Sequence, residues 1–276
     1  MASNRRYLTA FFVILGALPS LWAADRVPEP AKILAEYAGG YKDDFPEELN
    51  RVKSFVLAAQ SDIATTLGLQ YGQGFIHSVT IRFDDGAPAV NENPYFYVQA
   101  KGSGDTFVQE LVANVEAFAK YRSGSTYKES SVRNGFRYAL TELMLSDLAA
   151  GDTGKALPLW VEEGVAVFVS GDGDEVVEHV AARTHRAHAS ELVNDLNSPG
   201  PYLTPGAWAN YYLAVKYIAR AGALQGFVRE MVGGASTADA VLHVLGQDWP
   251  TFVSNAREFS SRSFLEHAAP DDDSRK

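Results

Sequence analysis

The chain has 276 residues, no cysteine and a formal net charge of −10, with 46% hydrophobic and 21% charged residues. The lack of cysteine excludes a disulfide framework, a thiol nucleophile, a cysteine zinc site and a lipid-modified cysteine anchor. The acidic balance argues against a nucleic-acid partner, since such proteins present a basic surface to the phosphates. The apolar fraction is too high for a disordered chain, and the length fits one large domain or two small ones.

The first two dozen residues have the pattern of an export signal. Two arginines precede the apolar stretch 7–22, and Ala23 with Ala24 supplies the small residues at which a signal peptidase cuts. A membrane anchor is the alternative, because the stretch is just long enough for a spanning helix. We favour cleavage, since Pro19 interrupts the stretch, and expect a periplasmic or secreted protein that contacts a membrane only if this segment stays uncleaved. Losing residues 1–23 would leave 22 basic against 34 acidic residues, and the net charge would change from −10 to −12.

Helical and strand patterns alternate in the front half of the mature chain. A short helix is predicted over 28–38 and a longer one over 46–67, where apolar residues recur at helical spacing. Alternation of apolar and polar residues predicts a strand over 75–83, and a second strand follows over 95–100. The segment 107–119 fits a helix and a strand equally well, so its period does not decide between them.

From Val132 onward the pattern is helical. Ser236 and Asp248 each precede a helical run and are predicted to cap it, which makes the whole an α+β protein. The predicted organisation is a signal peptide at 1–23, an N-terminal lobe of helices and sheet at 24–130, a helical lobe at 131–267 and a disordered tail at 268–276.

Glu142 is the only acidic or basic residue of the octet 138–145, within a helix that is apolar nearly all round. The residues three and four positions away include no basic one, so no ion pair on the same helix can satisfy its charge. An unpaired carboxylate in a buried helix costs several kcal/mol unless a distant group neutralises it. Either the face that carries Glu142 is exposed, or a distant arginine pairs with it, or the acid belongs to a functional site.

A second segment, 157–171, carries two adjacent acids near the start of a helix. Pro158 suits the first turn, and Glu162 and Glu163 suit the amino end because acids there offset the helix dipole. Gly164 in the middle of the helix costs about 1 kcal/mol relative to alanine. A glycine at this position predicts that another element packs closely against the helix.

Together the two segments resemble the peptidase-MA-like branch of the gluzincin metallopeptidases. That family combines a His-Glu-x-x-His helix with a downstream Leu-Pro-x-Trp-x-x-Glu-Gly-x-Ala helix. This chain matches the second motif at Leu157, Pro158, Trp160, Glu163, Gly164 and Ala166. The resemblance covers about residues 75–260. It implies a zincin-like fold, with a small mixed sheet packed on helices and then a mainly helical C-terminal lobe.

In that family the two histidines bind zinc, the glutamate between them activates a metal-bound water, and the downstream glutamate completes the zinc site. The resemblance therefore implies a catalytic base at Glu142 and a ligand at Glu163, but it places Thr141 and Leu145 where the histidines stand. A catalytic zinc takes three protein ligands. We expect Glu142 to be a vestigial base, Glu163 to be the only retained ligand position, and no metal or other cofactor to be bound.

The former cleft is expected to hold a peptide or a partner protein, so that the chain is a non-catalytic binding protein or a structural protein of the envelope. The family also places a tyrosine on a later helix to stabilise the oxyanion, and Trp208 lies near that place with two tyrosines. The residues expected to line the cleft are Thr141, Leu145, Trp160, Glu163, Tyr211 and Tyr212.

Alternatives to this function remain open. An active zinc metallopeptidase could use Glu163 with later histidines, for which His179, His185 and His188 are the candidates; zinc would then be its cofactor. Glu142 could also be a buried structural acid, and a glycosidase that pairs Glu142 with Glu163 is less favoured. Two further histidines, His77 and His243, are predicted to lie in the core.

Overall fold

The fold is that of a computed structural model of the chain. It describes residues 33–37, 46–69, 77–84, 96–102, 106–114, 129–152, 154–183, 196 and 205–267. The predicted export signal and C-terminal tail lie outside the described residues, as do His185 and His188. Within the described residues no helix is both long and apolar enough to cross a membrane.

Four strands and eight helices make up the described part of the chain, and the predicted α+β class is confirmed. The strands are β1 (Ile33–Tyr37), β2 (Val79–Asp84), β3 (Phe96–Lys101) and β4 (Val108–Asn114). The helices are α1 (Pro46–Leu67), α2 (Glu129–Asp152), α3 (Leu159–Ser170), α4 (Gly173–Arg183), α5 (Pro205–Arg220), α6 (Leu224–Val232), α7 (Thr237–Leu245) and α8 (Trp249–His267).

The strands form one mixed sheet in the order β1-β2-β4-β3. β2 runs parallel to β1 and to β4, whereas β3 pairs with β4 in the antiparallel sense. Ile81 of β2 and Leu111 of β4 lie opposite each other and are fully buried. Helix α2 packs against the sheet at β3 and β4, so the sheet supports the helix that carries Glu142.

The two predicted strands are present as β2 and β3, although His77 and Ser78 of the first precede β2, and the segment left open at 107–119 is a strand over β4. The helix predicted over 28–38 is wrong in its described portion, because Ile33–Tyr37 is the strand β1. That strand is stabilised by parallel pairing with β2, a partner more than forty residues away. Pairing with so distant a strand does not show in the sequence of residues 33–37 alone.

One apolar core joins the front and back halves of the chain. Helix α1 has the predicted bounds, and its apolar face, which includes Val56 and Ile63, is buried against α2. The same core continues through Phe136 of α2 and Phe227 of α6 to Phe252 of α8. The two halves therefore support each other and fix the position of α2 between them.

The helix ends follow the predicted capping pattern. Ser236 accepts a hydrogen bond from the Asp239 backbone N–H at 3.2 Å, and Asp248 accepts one from the Thr251 N–H at 2.9 Å. The prediction that His243 lies in the core is wrong: its side chain is 58% exposed and its Nδ1 lies 3.3 Å from a Glu230 oxygen.

Candidate functional site

Two acidic side chains on facing helices meet at a tyrosine hydroxyl. Glu142 lies on α2, Glu163 lies on α3, and both carboxyl groups contact the hydroxyl of Tyr138. Tyr138, one helical turn before Glu142, has its hydroxyl oxygen 3.1 Å from Glu142 Oε1 and closer still to Glu163 Oε2, so that both carboxyl groups lie within hydrogen-bonding distance of it. We call these three residues the carboxyl–tyrosine cluster.

Close packing of α3 on its neighbours brings the cluster together. A Cβ atom added at Gly164 would lie 2.6 Å from the Tyr211 carbonyl oxygen on α5. The close approach predicted at Gly164 is therefore confirmed, and it sets Glu163, the preceding residue, between α2 and α5. Trp208, one turn before Tyr211, contacts Tyr138 edge-on with 6.4 Å between ring centroids. The cluster is thus covered by an aromatic ring of α5.

Within the described residues, protons rather than basic side chains offset the charge of the cluster. Among the described residues neither Glu142 nor Glu163 has a basic partner. Burial raises the pKa of Glu142 well above its ordinary value, and the nearby charge of Glu163 raises it further. Burial also raises the pKa of Glu163 to about 7, against the opposing effect of the Tyr138 hydrogen bond. Near neutral pH the pair therefore holds at least one proton.

The hydroxyl of Tyr138 remains a donor in this setting. Burial, together with the charges of Glu142 and Glu163, raises the pKa of the phenol above its ordinary value. The indole N–H of Trp208 is buried without a well-placed acceptor among the described residues. It still lies near enough to Glu163 to lower the pKa of that carboxyl. Tyr138 thus presents a donor to the acidic pair, and the Trp208 indole lies beside Glu163.

Glu162 adds a third acid beside the pair. Ser146, one turn after Glu142 on α2, donates its hydroxyl to Glu162 Oε1. Burial raises the pKa of Glu162, and the Ser146 hydrogen bond opposes this effect. Glu162 lies in the first turn of α3, as the dipole argument predicted.

The residues at the positions implied for a zinc ion do not fit one. Thr141 is fully buried, and its hydroxyl donates to the Arg137 carbonyl oxygen at 2.7 Å in its own helix. Leu145 is fully buried and has no ligand atom. No three His, Asp or Glu side chains of the described residues lie close enough together to hold a metal. The donor set at the cluster is two carboxyl groups and a phenol, which lacks the nitrogen ligands typical of catalytic zinc.

The aromatic residues expected to line the cleft lie in different surroundings and make different contacts. Trp160 has no exposed surface, and its ring packs on Phe227, Trp249 and Phe252 in the core. Tyr212 donates its hydroxyl to Asp174 at the start of α4 at 2.9 Å. Tyr211 is buried and provides the carbonyl oxygen that meets Gly164. Of the α5 residues considered from the sequence, Trp208 is the one whose ring contacts Tyr138.

A polar pair lies where the sheet meets α2. His77 precedes β2, and Asp147 of α2 accepts its backbone N–H at 2.9 Å and contacts its ring Nδ1. The ring also lies 5.1 Å from that of Phe107. The prediction that His77 lies in the core is not met, because its side chain is 25% exposed whereas that of Asp147 is fully buried. This pair ties the beginning of β2 to α2.

Sequence reasoning missed Tyr138, whose hydroxyl joins the two acids. The available signal was its position four residues before an acid that lacks a basic partner on its own helix. A glycosidase pair must leave its carboxyl groups, about 5–9.5 Å apart, free to reach a glycosidic bond, whereas both groups here contact the hydroxyl of Tyr138. The chain matches no model of a known protein family and shows no significant similarity to a curated protein.

Proposed function

We propose that the chain is an exported, gluzincin-like protein that has lost zinc-peptidase activity and binds a peptide or partner protein beside the carboxyl–tyrosine cluster. The observation that carries the proposal is that the Tyr138 hydroxyl contacts both Glu142 and Glu163. The base position and the ligand position of the implied peptidase therefore share a side chain of the protein as their partner. A general base in a zinc peptidase must instead face a metal-bound water.

The residues next to the cluster support the same proposal. Thr141 and Leu145 replace both histidines, so that a single implied ligand, Glu163, remains against the three that a catalytic zinc requires. The helices that would form the cleft are nevertheless retained and closely packed. A binding protein derived from an enzyme needs the packed helices that shape its cleft, but it does not need the ligands of the catalytic metal.

A peptide library tests both halves of this proposal. We expect no chelator-sensitive cleavage by the full chain, together with retention of a subset of peptides. Glu142→Gln should reduce that retention without unfolding the protein, since it replaces one carboxyl oxygen of the cluster with an amide donor. Glu178→Gln, which changes an exposed acid on α4, is the matched control and should leave retention unchanged. Chelator-sensitive cleavage that Glu142→Gln abolishes would establish the active peptidase instead, and retention that ignores Glu142→Gln would refute binding at the cluster.

A further inference from the structure

The Tyr138 hydroxyl stands at the point on which the two carboxyl groups converge. In the implied zinc site Glu163 would contact the metal and Glu142 its bound water, so both groups would point at one small volume. Here the phenol oxygen lies 3.1 Å from Glu142 Oε1 and closer still to Glu163 Oε2. A side chain of the protein therefore bridges the two acids.

Packing holds the hydroxyl in this position. Helix α2 places Tyr138 one turn before Glu142, the spacing at which side chains on a helix meet. The ring is partly buried, packs against the apolar residues that join α4, α5 and α8, and meets Trp208 edge-on. Moving the hydroxyl away would leave the buried Glu163 carboxyl without the closest of its donors.

We propose that Tyr138 closes the site: its hydroxyl joins Glu142 and Glu163 where a metal ion and its bound water would stand, and it competes with any cation for the Glu163 carboxyl. This inference rests on the proposed loss of zinc. It adds that the two missing histidines are not the only reason why zinc binds poorly, because the remaining ligand, Glu163, already contacts the Tyr138 hydroxyl. Restoring the histidines alone should therefore give a weak zinc site.

The test is the zinc affinity of the full chain carrying Thr141→His and Leu145→His, measured by competition with a chromophoric chelator. Adding Tyr138→Phe should tighten zinc binding at least about tenfold, since a hydrogen bond to a charged group is worth about that factor. The matched control is Tyr217→Phe, whose hydroxyl accepts from Gln247 at 3.0 Å outside the cluster. That control should leave the zinc affinity unchanged.

Equal zinc affinity with and without Tyr138→Phe would overturn the inference and leave the proposed function standing. Stoichiometric zinc in the unaltered chain would instead refute the proposed function. Thr141 and Leu145 are fully buried, so the histidine variant could fail to fold, and infrared spectroscopy of the single variants then decides. Tyr138→Phe should move the protonated-carboxyl band to higher frequency and Tyr217→Phe should not; an unchanged band in Tyr138→Phe would equally overturn the inference.

Discussion

Raising the pH from 5 to 8 should destabilise the folded protein, because the carboxyl–tyrosine cluster holds protons that the unfolded chain releases. Burial raises the pKa of Glu163 from 4.5 to about 7. A carboxyl with a raised folded-state pKa contributes stability that is complete below its unfolded pKa and is lost as the pH rises through the folded one. The difference between the two values corresponds to about 3 kcal/mol. Glu142 and Glu162, whose pKa values burial also raises, act in the same direction.

Urea unfolding followed by tryptophan fluorescence at pH 5, 6, 7 and 8 measures this effect. The free energy of unfolding should fall by roughly 3 kcal/mol, mostly below pH 7. The double variant Glu142→Gln with Glu163→Gln should remove most of the fall and be more stable than the unaltered chain at pH 8. Glu258→Gln, at a 70% exposed position on α8, is the matched control and should keep the full fall.

Two results would refute this reasoning. A free energy of unfolding that is constant or rises between pH 5 and 8 would mean that the cluster is not neutralised by protons. If the free energy of unfolding fell as much in the double variant as in the unaltered chain, other titrating groups would be the cause of its pH dependence. Asp174 does not affect this comparison. Burial raises its pKa, but the hydrogen bonds from Lys216 and Tyr212 outweigh burial and lower it. A lowered carboxyl pKa changes the free energy of unfolding only at pH values below the ordinary pKa of an aspartate.

Gly164→Ala should destabilise the protein by about 1–3 kcal/mol, since the new Cβ would lie 2.6 Å from the Tyr211 carbonyl oxygen. In thermal unfolding, Gly226→Ala on α6 is its control: its Cβ meets one valine side chain at 3.3 Å, and the change should stay below about 1 kcal/mol. Equal effects of the two substitutions would contradict the close approach. Asp147→Ala should lower the free energy of unfolding in urea by about 1–3 kcal/mol, because the His77 backbone N–H and ring Nδ1 lose their contacts with the carboxyl group; an unchanged free energy would show that the His77–Asp147 pair does not stabilise the fold.

Local patterns predicted the elements whose stability is local. Helix α1 has the bounds that its apolar spacing indicated, and Ser236 caps α7 as its position suggested. Gly164 was informative because a glycine in a helix interior is costly and needs a packing reason, which the Tyr211 carbonyl supplies. Strand β1 was missed because its hydrogen bonds go to β2, far away in the chain.

The sequence predicted which acidic residues form the site, but it did not predict how their charges are neutralised. Glu142 was singled out because its own helix offers it no basic partner, and Glu163 because of its motif. The sequence argument considered only charged partners for Glu142, whereas the structure places the Tyr138 hydroxyl and a second carboxyl group, that of Glu163, next to it. Which helices face each other depends on the whole core, and the sequence does not state that arrangement locally.

The zinc content of the purified full chain tests the central claim most directly. Elemental analysis after equilibration with excess zinc and removal of the free metal should find far less than one zinc per chain, and Glu163→Ala should not change that value. The account would be contradicted by one tightly held zinc per chain that is lost in Glu163→Ala, because Glu163 would then be a metal ligand rather than an acceptor for Tyr138.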